Sequence, residues 1–176
     1  MGDPSLIEYP VGEVSYTVAL SAVDGGSWSS GGQEDLAQIK IANGIRSAVR
    51  WASPIPQGAT ITAARVTATS SWTQSGAVNG ILSFYEADDA AALPGGFYAS
   101  EWSSETAQVL WGITEDWPEN SQFDSVDIAN SLQAVTDRAG YAADNRVMLF
   151  FNYYSVGSVG FRFAYSNPTL HVTYTA

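Results

Sequence analysis

The sequence contains no cysteine, a single lysine and few charged residues of either sign. Without cysteine there can be no disulfide, no thiolate metal ligand and no cysteine nucleophile. Lys40 is the lysine, and 7 Lys and Arg against 18 Asp and Glu give a net charge of −11. A surface of this sign repels phosphates and anionic lipid, so neither nucleic acid nor a membrane surface is an expected partner.

The sequence also lacks long apolar runs. No stretch approaches the roughly 18 apolar residues of a membrane span, and the first residues have neither the basic nor the apolar region of a secretion signal. We therefore expect no encoded signal and no anchor. A chain of 176 residues favours one domain, residues 1–176, with residues 1–12 as an N-terminal arm.

Alternation of apolar and polar residues dominates the rest of the chain, and this period of two is typical of half-buried strands. In residues 146–154 both faces are apolar, which predicts a central strand covered on both sides, by the fold or by a neighbouring subunit. The predicted strands are residues 14–20, two strands around the Asn43-Gly44 hairpin turn that contain Ile39, Ile41, Val49 and Trp51, and residues 60–68, 78–86, 108–113, 146–154, 160–165 and 169–175.

Three other segments interrupt the strands. Residues 24–35 are rich in Gly and Ser and predict a flexible loop. Residues 53–59, with two prolines and Gly58, predict a corner, followed by a bulge between residues 61 and 64. Residues 127–139 predict the one helix, capped by Asp127.

These elements predict an all-β protein, an antiparallel two-sheet β-sandwich of jelly-roll type with one short helix. We expect its core to contain apolar residues from the inward faces of several strands. They are Val66, Leu82, Leu149, Phe151, Phe163, Leu170 and Val172.

Catalytic patterns are weak. His171 is the only histidine and lies on the outward face of the last predicted strand, with no motif that would orient a nucleophile beside it. The many acidic residues include pairs that could hydrolyse glycosides, but spacing on separate loops does not set the required separation, so solvated loop acids are the simpler interpretation. We expect no catalytic residue, no metal site and no cofactor, with structural calcium as an open possibility at residues 86–91 or at Asp24.

Tryptophans are the remaining candidates. Trp28, Trp102 and Trp117 fall in loops rich in Gly, Ser, Glu and Pro, where exposed rings could stack on a glycan or contact a partner subunit. A further set of three, Trp51, Trp72 and Trp111, lies in or beside strands and is expected in the core.

Three stretches carry a family resemblance: the corner "IPQGATITAARV", the helix and its exit "DIANSLQAVTDRAGYAADNRVMLFF", and the closing "SNPTLHVTY". Together they resemble the jelly-roll, galactose-binding-like modules, similar to carbohydrate-binding modules, of bacterial secreted proteins and phage particles. The matching residues are Gln133, Asp137, Arg138, Tyr141, Asn145, Pro168, Leu170, Val172 and Tyr174. The resemblance covers roughly residues 45 to 176 and implies carbohydrate binding, cell-wall attachment or particle decoration.

Two functions remain open. The first is a non-enzymatic virion structural protein, a phage capsid decoration, minor capsid or tail component that docks on other subunits; the second is a carbohydrate-binding module or adhesin that recognises a polysaccharide. The low charge and high aromatic content are typical of contact surfaces and favour a homo-oligomer. The resemblance implies a trimer, located on the virion or otherwise outside the cell.

Overall fold

The computed structural model describes residues 14–29, 32–93 and 104–176. The arm predicted over residues 1–12 lies outside these ranges. Within them the chain forms eleven strands and one helix. In chain order these are β1 (Ser15–Ser29), β2 (Gly32–Asp35), β3 (Gln38–Ile41), β4 (Ile45–Ala52), β5 (Thr60–Thr69), β6 (Val78–Phe84), β7 (Val109–Ile113), β8 (Gln122–Asp124), α1 (Ala129–Thr136), β9 (Arg146–Tyr154), β10 (Arg162–Tyr165) and β11 (Thr169–Thr175). No helix in the described ranges has the length and apolar character needed to cross a membrane.

The main sheet forms two layers because β1 belongs to both. Residues 15–21 of β1 pair antiparallel with β11, and residues 22–29 pair with β4. A register shift between Ala22 and Asp24 marks the change of partner, as expected where a bulge bends a strand. One layer runs β8-β5-β11-β1, and the other runs β1-β4-β9-β6-β7, with β2 on β1. The all-β, antiparallel sandwich of jelly-roll type with one short helix is confirmed.

The turn at Asn43-Gly44 is confirmed, but the hairpin predicted around it is wrong. The Ile45 N–H bonds the Ala42 carbonyl at 3.1 Å, and Gly44 has a φ of 73°. Strand β3 then pairs with β10 in a separate two-stranded sheet, while β4 pairs with β1 and β9. The Ser47 hydroxyl bridges the two strands by bonding both backbone groups of Lys40. The turn therefore carries the chain from the small sheet into the main sheet.

The prediction of a flexible glycine loop over residues 24–35 is wrong, because most of this segment lies in β1 and β2. The glycines allow close approach of other backbone. A Cβ on Gly25 would lie 2.6 Å from the Ser166 carbonyl oxygen, and one on Gly26 would lie 2.9 Å from that of Asp35. The glycine-rich composition predicted a flexible loop. In the fold, glycine occupies these positions because other backbone segments pack too close for a side chain.

The predicted core is confirmed at every position except Phe163. The other six side chains are at most 1% exposed and lie in one cluster fed by both layers: Val66, Leu82, Leu149, Phe151, Leu170 and Val172. Phe163 is only partly buried, because Arg162 and Ala164 take the inward positions of β10 and turn Phe163 toward the outer side.

Strand β9 is buried on both faces, as its sequence predicts. Leu149 and Phe151 enter the main core. Met148 and Phe150 point the other way and join a second cluster with Trp28. The fold itself covers both faces of the strand.

Helix α1 is shorter than the predicted residues 127–139, and it closes the open edge of β5. Asp127 accepts bonds from the Ala129 N–H at 2.9 Å and from the Ala64 N–H of β5 at 3.0 Å. Gln133 accepts the Ile61 N–H at 2.7 Å. Side chains thus satisfy β5 donors that no neighbouring strand reaches. The predicted bulge is confirmed, because Thr173 pairs with Ala63 whereas Tyr174 pairs with Ile61.

The corner before β5 is fixed by residues that also carry the family resemblance. The Tyr141 hydroxyl donates to the Ser53 hydroxyl at 2.8 Å and to the Ile55 carbonyl at 3.2 Å. Asn145 contributes its backbone carbonyl to the Ser53 N–H at 2.9 Å. Gly58, with a φ of 78°, completes the turn. These motif residues are structural.

Replacing Tyr141 by phenylalanine should remove the part of the pH dependence of stability that comes from its phenol group. Burial raises the pKa of Tyr141 above its ordinary 10.0. Above that pH the unfolded chain loses the phenolic proton while the folded protein retains it, so the free energy of unfolding falls as pH rises. At pH 7 the variant should lose about 0.5–1.5 kcal/mol through the missing hydrogen bonds.

Urea unfolding at pH 7, 9 and 10.5 measures this effect, with Tyr154→Phe at an exposed site as the control. The free energy of unfolding of the Tyr141→Phe variant should lie closer to that of the unchanged protein at pH 10.5 than at pH 7. A deficit that stays constant over the series would show that Tyr141 does not contribute to the pH dependence.

Candidate functional site

An exposed row of aromatic side chains lies on the outer face of the small sheet. Along β10 and the residue before it, Phe161, Phe163 and Tyr165 alternate with buried Arg162 and Ala164. Alternation is the normal geometry of a strand, so the three rings share one side. Phe161 is 45% exposed and stacks on Phe163 with ring centroids 4.8 Å apart.

Trp72 completes this row. Its ring is 55% exposed and meets Phe163 edge-on with centroids 5.9 Å apart. The expectation that Trp72 belongs to the core is wrong, whereas Trp51 and Trp111 are buried as predicted. We call Trp72, Phe161, Phe163 and Tyr165 the aromatic surface.

Gln74 holds Trp72 beside β10. Its side-chain amide accepts the Phe163 N–H and donates to the Phe163 carbonyl at 2.9 Å, as a strand neighbour would. The Ser71 N–H also bonds the Phe163 carbonyl, at 3.2 Å. Residues 71–74 therefore lie alongside β10, and the Trp72 ring is exposed there.

Arg162 fixes the underside of the aromatic surface. It is fully buried, and its guanidinium donates to four backbone carbonyls, those of Ser75 (3.3 Å), Phe161 (2.9 Å), Gly76 (2.7 Å) and Glu115 (2.8 Å). Burial lowers its pKa, while the charges of Glu115 and Asp116 act in the opposite direction. One side chain thus joins three loop segments beneath the rings.

Polar groups border the aromatic surface. The Lys40 ammonium lies 5.4 Å from the centre of the Phe163 ring and 3.6 Å from an Asp35 carboxylate oxygen. The Tyr165 hydroxyl donates to Asn120 at 3.4 Å. Apolar rings surrounded by polar groups are the usual composition of a contact site.

Exposed aliphatic side chains lie in the loop that leads to β10. Val159 is 81% exposed in the loop that leads to β10. Its N–H bonds the Ala77 carbonyl at 2.8 Å, and its side chain lies next to Gly76. Val156, in the same loop, is also exposed. Exposed apolar residues placed together, rather than singly, mark interaction sites.

Two of the tryptophans predicted to bind a glycan or partner are buried, and the expectation that their rings are exposed is wrong. Trp28 lies in β1 and packs with Met148 on the second face of β9. Trp117 stacks on Phe123 at 4.5 Å. Trp102 lies outside the described residues.

Trp117 shows why loop composition misled the prediction. It lies between Pro118 and acidic residues, yet its backbone pairs with Gln74 through bonds of 2.7 and 2.8 Å. The Arg162 guanidinium covers its ring at 5.6 Å. A short segment outside the strands can bury a large ring as well as a strand does when both its N–H and its carbonyl are hydrogen-bonded.

The other candidate residues do not converge. His171 lies on the outer face of β11, as predicted, beside a groove of about 350 Å³ that also includes Arg65 and Asp127. Residues 14–29, 32–93 and 104–176 contain no group of three or more potential metal ligands.

Asp24, Asp88 and Asp89, three of the acids considered for calcium, contact arginines. Asp24 makes a two-point contact with Arg50 at 2.6 and 3.1 Å. Asp88 accepts a bond from Arg138 at 2.6 Å. These contacts support the fold.

Comparisons with known proteins concern the fold alone. No family model matches the chain, and no curated protein matches it. Among solved structures it is similar to a family 11 carbohydrate-binding module from Clostridium thermocellum in complex with a beta-1,3-1,4-mixed-linked tetrasaccharide, at 11% identity over 93% of this chain and 91% of that chain, with a TM-score of 0.32. It is also similar to a structure of Desmodium yellow mottle tymovirus, at 11% identity over 99% and 96% of the two chains, with a TM-score of 0.26. A third similar structure, of infectious bursal disease virus Gx strain, has 12% identity over 92% of this chain and 40% of that chain, with a TM-score of 0.23.

Proposed function

We propose that the protein is a non-enzymatic structural component of a virus particle that docks on other subunits through the aromatic surface. In the finer form of this proposal it is a phage capsid decoration, minor capsid or tail protein and forms a homo-oligomer. The observation that carries the proposal is the exposure of Trp72 and Phe161, with exposed Val159 two residues before Phe161 in the chain. Free proteins seldom present such groups together unless a partner covers them.

The exposed valines in the loop before β10 favour a protein partner. Val156 and Val159 have neither a flat face for a sugar ring nor a hydrogen-bonding side chain. Their burial gains free energy only when another apolar surface excludes water from them. Few charges and many aromatic residues over the whole chain agree with this, since contact sites are depleted in Lys and Glu and enriched in aromatics.

Arg162 makes the aromatic surface suitable for docking. Because its guanidinium ties three loop segments together, the rings are held before a partner arrives. A preformed contact loses less conformational entropy on binding than a flexible one.

Particle assembly tests this proposal. Purified particles would be produced with the unchanged chain and with Trp72→Ala combined with Phe161→Ala, and the copies per particle counted by quantitative mass spectrometry. Leu110→Ala, an exposed apolar residue on β7, is the matched control. We expect the double variant to be lost from particles and the control to be retained. Equal copy numbers for both, or absence of the unchanged chain, would overturn the proposal.

A carbohydrate-binding module or adhesin is the second candidate, and the exposed indole of Trp72 is the observation that favours it. The flat ring suits stacking on a pyranose, and the Gln38 amide bonds the hydroxyl of Ser71, the residue before Trp72, at 3.2 Å. Retardation of the native chain in gels containing dissolved polysaccharide, abolished by Trp72→Ala, would favour this function over the first.

A further inference from the structure

Exposed acidic residues lie in a loop that contacts the segments of the aromatic surface. The loop of residues 114–120 carries Glu115, Asp116 and Glu119, all exposed. None of the three lies within ion-pair distance of a cation in the part of the chain that the structure describes, although the charges of Glu115 and Asp116 act on buried Arg162. We call residues 114–120 the acidic loop.

Backbone contacts place the acidic loop next to the rings. The Glu119 N–H donates to the hydroxyl of Thr73, the neighbour of Trp72, at 3.2 Å. The Asn120 N–H bonds the Ser70 carbonyl at 2.9 Å, and its side chain accepts the Tyr165 hydroxyl. The backbone of the acidic loop therefore runs beside Thr73 and Ser70, the residues close to Trp72 in the chain.

Among the described residues, Lys40 is the cation on the outer side of the rings, and it is paired with Asp35, whereas Arg162 is buried beneath them. Lys40 lies over the Phe163 ring, and Asp35 lies 3.6 Å from its ammonium group. Trp72 is 55% exposed and Phe161 is 45% exposed, with one face of Phe161 stacked on Phe163. Indole and phenyl faces attract cations because their electron density is negative above the ring. The ring faces and the acidic loop thus both attract positively charged groups.

We propose that the aromatic surface receives arginine or lysine side chains from the protein on which it docks, with the acidic loop beside them. The inference rests on the proposed function and names the chemistry of its partner. The planar guanidinium of arginine fits best, since it can stack on a ring and donate to a carboxylate at its edge. Complementary charge also speeds encounter and rejects acidic surfaces, including other copies of this acidic chain.

Short peptides test this preference directly. The probe is acetyl-Gly-Arg-Gly-Arg-Gly-amide, and its control carries citrulline, the uncharged analogue, in place of both arginines. Binding is followed by NMR at the indole N–H of Trp72, which Trp72→Phe assigns by removing that signal. We expect saturable shifts with the arginine peptide and affinity about fivefold lower or worse with citrulline. Equal affinity for the two peptides would overturn the inference.

Charge variants locate the effect. Asp116→Asn combined with Glu119→Gln removes two charges at the acidic loop, and Asp137→Asn combined with Asp144→Asn removes two charges at exposed sites beyond α1. Asn at position 144 is compatible with its φ of 70°. We expect the first pair to weaken arginine-peptide binding about threefold and the second to leave it unchanged. Equal weakening by both pairs would mean that net charge, not this surface, attracts the peptide.

These results separate the inference from the proposed function. If the arginine peptide is preferred but the Trp72 and Phe161 double variant still enters particles, docking through this surface fails and the cation preference stands. If the double variant is lost from particles while citrulline binds as well as arginine, docking stands and the cation preference fails.

Discussion

Arg162→Ala is expected to lower the free energy of unfolding by about 3 kcal/mol or more, because each buried polar group left without a partner costs about 1–3 kcal/mol. The guanidinium satisfies four carbonyls from three loop segments and also covers the Trp117 ring. Alanine would leave these groups and a cavity behind. Chemical denaturation of the variant measures the loss.

Arg65→Ala is the matched control for Arg162. Its guanidinium is about half exposed and makes one ion pair, at 3.1 Å, with Asp124. Surface pairs of this kind contribute about 0–1 kcal/mol. If both variants lose the same small amount, Arg162 is not the residue that ties the loops together.

Phe151→Ala is expected to destabilise the protein by about 3–5 kcal/mol, through lost transfer free energy and the cavity that remains. Phe151 is completely buried in the main core between the layers. Phe150, its neighbour, is equally buried in the cluster on the opposite face. Truncation at either position should therefore be costly, which is unusual for consecutive residues of a strand.

Phe161→Ala provides the comparison, because its ring is 45% exposed and its loss should change stability by no more than about 1 kcal/mol. Thermal and urea unfolding of the three variants would establish the order. A small effect at Phe150 with a large one at Phe151 would show that the second face of β9 is open.

The regular strands could be predicted because their side-chain alternation is local. In β11, Leu170, Val172 and Tyr174 are buried and their neighbours are more exposed, as the pattern indicates. The bulge near Thr62 and the corner at residues 53–59 were also predictable, since a phase slip and proline leave a local signal.

Pairing between distant segments left no such signal. The glycines in β1 resemble a loop because only the backbone of Ser166 and Asp35 explains why they lack side chains. Strand β3 leaves its expected hairpin partner for β10, which lies more than a hundred residues later in the chain. The residues of the turn predicted the turn itself but could not predict which strand β3 pairs with.

The candidate site was predicted least well. The sequence indicated that tryptophan rings would form it, but Trp117 is covered by Phe123 and Arg162 while Trp72, expected in the core, is 55% exposed. A weak signal was present, because Phe161, Phe163 and Tyr165 alternate with an arginine. Arg162 is buried against backbone carbonyls, so the aromatic residues of β10 face outward. Sequence periodicity assumes that the aromatic side of a strand faces the core and that the arginine faces solvent.

Imaging of the assembled particle by electron cryomicroscopy tests the central claim most directly, because it shows what covers the aromatic surface. The account predicts that Trp72 and Phe161 are buried against a neighbouring subunit, with an arginine or lysine of that subunit near Glu119. A particle map in which these rings face solvent in every copy, while the protein contacts its neighbours elsewhere, would contradict it.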